Sequence, residues 1–176
     1  MTQQNDVARL LEGAARVTSR VRNCWLVTDA QGGARPMGRI RPARDDDPWT
    51  IHFVTNSQSQ KASEIKRSSR VELIFQDDAE DAFVVLSGDA DVLVDTSAIQ
   101  RLWKDAYNVY FPSAEERANG TFIAIKVQRM RLWIRGVTPE PFGLHPAVLE
   151  RDASGNWRHP SAMYRVTSPS NPERRA

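Results

Sequence analysis

At 176 residues, with 40% hydrophobic and 26% charged side chains, the chain has the size and balance of one ordinary globular domain. A formal net charge of +2 is too small to specify a nucleic acid or a membrane surface as partner. The single cysteine, Cys24, excludes an intramolecular disulfide and a cysteine-based zinc site, and it fits a reducing compartment. No apolar run approaches the ~20 residues of a membrane span. The opening MTQQNDVARLLEGAAR lacks the apolar stretch of a signal peptide, so a cytoplasmic protein is expected.

In chain order, Val7, Leu10, Leu11, Ala14 and Val17 form a helical stripe over residues 6–18, with Asn5 or Asp6 as N-cap. Residues 21–27 alternate as a strand, and Asp29-Ala-Gln-Gly-Gly reads as a hairpin turn. The return strand, about 35–44, carries Pro36 and Pro42, which lack amide donors and confine it to an edge or an interruption. Residues 49–55 predict a third strand with Trp49, Ile51 and Phe53 on one face. A helix over about 60–68 follows, and Ser57 with Gln60 resembles a capping box.

Strands over 71–75 and 83–94 flank the acidic turn Asp77-Asp-Ala-Glu-Asp. A helix opening at Asp95 and Thr96 carries Ile99, Leu102, Trp103 and Ala106, with Ser97 and Gln100 as its box. Phe111-Pro112 breaks the chain, and Ser113 with Glu116 starts a short turn that Asn119-Gly120 ends. In the last long strand, 121–134, the apolar positions are odd through Ile123, Ile125 and Val127, then even through Met130, Leu132 and Ile134. That change of phase predicts a bulge or a break near Gln128. Asp152-Ala-Ser-Gly-Asn-Trp suits a small terminal hairpin, and residues 167–176 read as a disordered tail after a single domain over 1–166. The whole predicts a mainly β fold, an antiparallel barrel with helical crossovers, and no Gly-rich strand-to-helix fingerprint points to a Rossmann site.

Two segments suit anion chemistry. Arg39 and Arg41 share one face of an extended chain, and guanidinium forks bind phosphate; the alternative is a solvated edge strand kept soluble by charge. Thr55-Asn56-Ser57-Gln58-Ser59-Gln60-Lys61 joins a strand end to a helix start, offering amides, hydroxyls and the positive end of the helix dipole. Ordinary capping explains the serines but not a lysine in the first turn. If the strands over 35–44 and 49–55 are hairpin neighbours, one phosphate touches both groups. Trp103, Tyr107, Tyr110 and Phe111 either pack in the core or form a wall for a flat ring system or a dimer contact. His52, His145 and His159 lack metal-ligand spacing, so no metal is expected.

The ordered series R-x-R-P, F-V-T-N, S-x-S-Q-K-x-x-E-I, S-R-V-E-L-I-F, V-V-L-S-G-D-A-D-V, an L-W helix and F-P resembles the pyridoxamine 5′-phosphate oxidase-like FMN-binding split barrels. The likeness is greatest to their general stress protein branch and covers about residues 5–135. It implies a six- to seven-stranded antiparallel split β-barrel that pairs as a homodimer with FMN between the subunits. It implies further that Arg39, Ile40, Arg41 and Pro42 line the flavin, that Val54 and Thr55 lie near its ring or ribityl chain, and that Ser59, Gln60 and Lys61 hold the phosphate. Trp103 is the aromatic candidate for the cofactor wall. Gln60 stands where the oxidase has arginine, the oxidase's later glutamine falls near Phe83, and its C-terminal arginine and histidine motif is not visible, so pyridoxamine phosphate is not the expected substrate. The resemblance implies an FMN-dependent oxidoreductase acting on a small molecule, with a stress-related role and no nucleic-acid or membrane partner. The alternatives are a non-catalytic flavin-binding or sensing protein, or the same barrel holding F420 or haem.

Overall fold

Strict alternation of apolar residues builds the strands of the computed structural model, which describes residues 3–28, 33–38 and 47–160. β1 (Asn23–Thr28) buries Cys24, Leu26 and Thr28 and shows Asn23 and Trp25 to solvent. β3 (Thr50–Asn56) buries Ile51, Phe53 and Thr55, as the sequence predicts for its first two apolar positions. β4 (Arg70–Asp77) buries Val71, Leu73 and Phe75, and β5 (Ala82–Val92) buries Ala82, Val84 and Leu86. Period-2 burial of this kind puts the inward apolar side chains of these strands into one core.

All pairings are antiparallel, and the strands lie in the order β2-β1-β4-β5-β6-β7-β8, with β3 added alongside β6. β2 (Ala34–Gly38) is an edge strand paired with β1, where Pro36 opposite Trp25 needs no outer partner. The expected hairpin between the strands over 35–44 and 49–55 does not form among the described residues. β3 pairs instead with β6 (Gly120–Ile134), seventy positions downstream in the register Thr50 to Lys126 through Asn56 to Gly120. Long-range apolar pairing, Phe53 on Ile123 and Ile51 on Ile125, outweighs the local turn.

The bulge expected near Gln128 is present. Ser87 pairs with Arg129 and Gly88 with Val127, so Gln128 is the extra residue. A Cβ at Gly88 would strike the Lys126 carbonyl, which is why this position lacks one. Beyond the bulge β6 exchanges β3 for β7 (Ala147–Arg151), which turns through Asp152–Asn156 into the two-residue β8 (Trp157–Arg158), the predicted terminal hairpin. This hairpin brings the count among the described residues to eight strands rather than six or seven.

Helices seal the barrel. α1 (Gln3–Arg20) lays Leu10, Ala14 and Val17 on the core, and its observed start puts Asn5 and Asp6 inside the helix rather than at its cap. Asp6 instead pairs with Arg9 and His159. α2 (Gln60–Arg67) is capped by Ser59 rather than Ser57, because Ser59 sits directly before the first helical residue and accepts from the Ala62 amide. α3 (Thr96–Leu102) is capped by Asp95 rather than Ser97, and it ends at Leu102, so Trp103 and Ala106 lie beyond it. A 3-10 stretch, Asp105–Tyr110, continues to α4 (Ala114–Ala118), where the predicted Ser113–Glu116 capping box is complete. The predicted tail, 167–176, lies outside the described residues. Among the described residues no helix is long and apolar enough to cross a membrane.

Candidate functional site

An open groove of about 1510 Å³ runs between the end of α1, the edge strand β2, the C-terminal end of β3 with α2, and the aromatic 3-10 stretch before α4. Its lining includes Pro36, Met37 and Gly38 from β2, Val54 and Thr55 from β3, Lys61 from α2, and Lys104, Tyr107 and Tyr110 from the far wall. Glu116, the capping carboxylate of α4, also faces it.

The β3–α2 junction is held tightly. The Thr55 and Ser59 hydroxyls lie 3.2 Å apart, and Ser59 Oγ also accepts from the Ala62 amide at 3.3 Å. Asn56 Oδ1 accepts from the Gln58 amide at 2.8 Å, and the Ser57 amide donates to the Asn119 carbonyl at 2.8 Å. With Ala62 satisfied by its cap, the amides of Gln60 and Lys61 are the first-turn donors that have no intrahelical acceptor. The first turn of α2 holds no acidic residue, and Lys61 forms no ion pair among the described residues. Burial, and then the nearby Arg35 guanidinium, push the Lys61 amine below its ordinary range. An ammonium at a helix N-terminus, half-buried and without a carboxylate, is stabilised by an anion.

Beneath this turn sits Glu64, only 2% exposed. Arg35 Nη1 and Nη2 donate to its two oxygens at 2.6 and 2.7 Å, Thr28 Oγ1 donates at 2.9 Å and Gln60 Nε2 at 2.9 Å. The Arg35 fork outweighs the effect of burial and holds the Glu64 carboxyl down to about 2. The same contact pushes the Arg35 guanidinium up.

The far wall is aromatic and layered. Trp103 packs edge-on against Tyr107 and Phe122 and against Phe111 at a ring-centre distance of 5.3 Å, while its Nε1 donates to Asn108 Oδ1 at 3.1 Å. A Cβ on Gly120 would lie 2.6 Å from the Trp103 ring, so the glycine makes room for it. Tyr107 and Tyr110 form the surface of this layer, and burial pushes the Tyr107 hydroxyl up.

Of the expected site residues, Val54, Thr55 and Lys61 line the groove together. Ser59 and Gln60 stand at the start of α2 beside them, but Ser59 caps the helix and the Gln60 amide turns to Glu64. Trp103 lies behind Tyr107 and does not line the groove. Arg39, Ile40, Arg41 and Pro42 lie outside the described residues. Sequence reasoning passed over Pro36, Met37 and Gly38, although they immediately precede the arginines it chose. It also assigned no role to Glu64, although the S-x-S-Q-K-x-x-E-I series includes it as a carboxylate one turn after the lysine.

The sequence profile of the family described as pyridoxamine 5′-phosphate oxidase like matches residues 12–139. Among solved structures, a protein of Clostridium acetobutylicum related to general stress protein 26 superposes with a TM-score of 0.64 at 17% identity, covering 81% of this chain and 94% of its own. A pyridoxamine 5′-phosphate oxidase-related, FMN-binding protein of Nostoc punctiforme PCC 73102 gives 0.62 at 16% identity, covering 85% and 93%. The general stress FMN/FAD-binding protein of Xanthomonas citri gives 0.58 at 18% identity, covering 77% and 93%. No curated protein matches the chain. At these identities the structures share the fold, and the profile extends from the middle of α1 through β6 and just beyond, the segment that builds the barrel and the groove. The chain belongs to the pyridoxamine 5′-phosphate oxidase-like family of split β-barrels.

Proposed function

We propose that this protein binds FMN in the groove, with the phosphate on the first turn of α2 and the flavin ring lying toward β2 and β3. The observation that carries the reading is Lys61, which forms no ion pair among the described residues, in an acid-free first turn facing a groove wide enough for a cofactor. Membership of the family supports it, as do the FMN-binding and FMN/FAD-binding descriptions of two structures of the same fold. The residues present fit the group. Lys61 and the first-turn amides of Gln60 and Lys61 would meet the phosphate, and Met37, Val54 and Thr55, which line the groove beside them, would hold the rest of the cofactor.

A bound flavin supplies one- and two-electron redox chemistry to a small substrate. The chain's part would be to hold and orient the cofactor with the groove-lining residues of β2, β3 and α2 and to flank it with Tyr107 and Tyr110. This makes the protein a flavin-dependent oxidoreductase in the cytoplasm, working as a homodimer. Pairing is supported by an apolar ladder on the outer face of the sheet: Trp25 opposite Ile74, Ile74 opposite Val85, and Phe83 opposite Trp133. Trp25 is 49% exposed and Phe83 38%, an unusual display of large apolar surface for a lone subunit.

An absorbance spectrum of the purified protein, before and after FMN is added and unbound ligand removed, tests the cofactor. Flavin retained near one per chain is expected; none retained overturns the reading. Steady-state turnover with NAD(P)H and an acceptor tests the oxidoreductase step, and a bound flavin that is never reduced assigns the protein to flavin binding or delivery instead. Light scattering is expected to give twice the chain mass.

A further inference from the structure

Lys61 and Glu64 stand three residues apart on α2, the spacing at which opposite charges on a helix ordinarily pair. They do not pair here. The Glu64 carboxylate has four acceptor positions, and all four are taken: Arg35 Nη2 and Gln60 Nε2 on Oε1, Arg35 Nη1 and Thr28 Oγ1 on Oε2. A planar fork meets a carboxylate in two parallel bonds, which a lysine point charge cannot match. Arg35 comes from the edge strand β2, and Glu64 is almost fully buried, so the carboxylate is held inward while Lys61 faces the groove.

We propose that Arg35 is a positioning residue for the anion site: by occupying Glu64 from beneath, it keeps the Lys61 ammonium free to receive a phosphate. Without Arg35, Glu64 swings to Lys61 and neutralises it within the helix. The inference rests on the FMN reading only for the identity of the ligand; the contest for Glu64 exists in the protein alone. A merely structural clamp would weaken all flavin binding alike. A device that frees Lys61 acts on the phosphate, so it distinguishes FMN from riboflavin, which lacks that group.

The test uses the full chain as wild type, Arg35→Met, Glu64→Gln and the double variant, with FMN and riboflavin affinities from flavin fluorescence and the Lys61 amine titrated by NMR of ε-carbon-labelled lysine. Arg35→Met is expected to weaken FMN at least about tenfold, the size of one lost charge-assisted contact, while riboflavin changes by less than about twofold. The double variant, which has no carboxylate to capture Lys61, is expected to recover most of that loss. The Lys61 amine is expected to titrate higher in Arg35→Met than in wild type, with the double variant between them. Unchanged FMN affinity in Arg35→Met, equal losses of FMN and riboflavin, or no recovery in the double variant would each overturn the proposal. If Arg35→Met does not fold, Arg35→Lys keeps a charge without the fork; it is expected to show the same selective loss at smaller size, and its absence counts against the proposal. Should the wild type take no flavin, the FMN reading fails by itself, and the positioning role is then read from side-chain proximity: a nuclear Overhauser contact between the Lys61 ε-protons and the Glu64 γ-protons is expected to strengthen in Arg35→Met, and an unchanged contact overturns the proposal.

Discussion

Two helices begin at the rim of the same groove and begin in opposite ways. α4 closes its own start: Ser113 Oγ accepts from the Glu116 amide at 3.0 Å, and Glu116 Oε2 accepts from the Ser113 amide at 2.9 Å. Glu115 adds a second acid to that first turn, and the Ser113 amide holds the Glu116 carboxyl below its ordinary range. α2 has the serine but not the acid; a lysine stands in its first turn, and its one carboxylate is drawn away by β2. A helix start that satisfies itself has nothing left to offer an anion. One that keeps first-turn amides without intrahelical acceptors and a cation with no ion pair among the described residues has given up some local stability, and on the proposed reading it gains an anion site.

The largest effect that sharpens this contrast is expected from Lys61→Ala. FMN affinity should fall about ten- to a hundredfold, from the loss of a charged contact of about 1.5–3 kcal/mol, while urea denaturation stays within about 0.5 kcal/mol of wild type because the cation is unfavourable to the helix. Equal FMN affinity in the variant would break the contrast. Gly120→Ala, at the end of the α4 segment, should do the reverse. Its new Cβ meets the Trp103 ring, so stability should fall by about 1–3 kcal/mol with a change in tryptophan fluorescence. Ser113→Ala should cost about 1 kcal/mol of stability and leave FMN affinity untouched, whereas Ser59→Ala should cost about the same and also weaken FMN.

The most gradual effect is acid sensitivity. Glu64 titrates at about 2 in the folded chain against an ordinary value of 4.5, so its contribution is complete above 4.5 and is lost as the pH falls toward 2. The difference in urea midpoint between wild type and Glu64→Gln should therefore be constant at neutral pH and shrink through that window. A difference that persists at pH 2 would show that the carboxylate is not held by Arg35.

Much of the frame was legible because it depends on local rules. The parity of Ile123, Ile125 and Val127 against Met130, Leu132 and Ile134 pointed to an irregularity near Gln128, since side chains alternate strictly along a strand, and the ladder shows it to be a bulge at that residue. Lys61 could be singled out because it violates a preference of the helix dipole. The capping serines were harder: Ser57 and Ser59 are equivalent in composition, and only the backbone at Asn56 decides which of them adjoins the first helical residue. What stayed hidden was long-range. Nothing near Trp49 in sequence announces that its strand joins β6, and nothing near Glu64 announces a partner 29 residues earlier. Tyr107 and Trp103 looked alike as helical aromatics, yet the chain turns to a 3-10 stretch between them and puts one at the groove and the other behind it.

The bulge in β6 also governs how the gene can change in length. Because Gln128 is a supernumerary residue in the ladder, its loss would leave Val127 and Met130 facing inward in unbroken alternation. Loss of Ala124 or of Arg131 would instead turn every neighbour on one side of the gap inside out. A single-codon deletion or insertion in this strand is thus survivable chiefly at the bulge, where parity is already broken. The relatives of this protein should accordingly drift in length at that point of β6 while holding it fixed on either side.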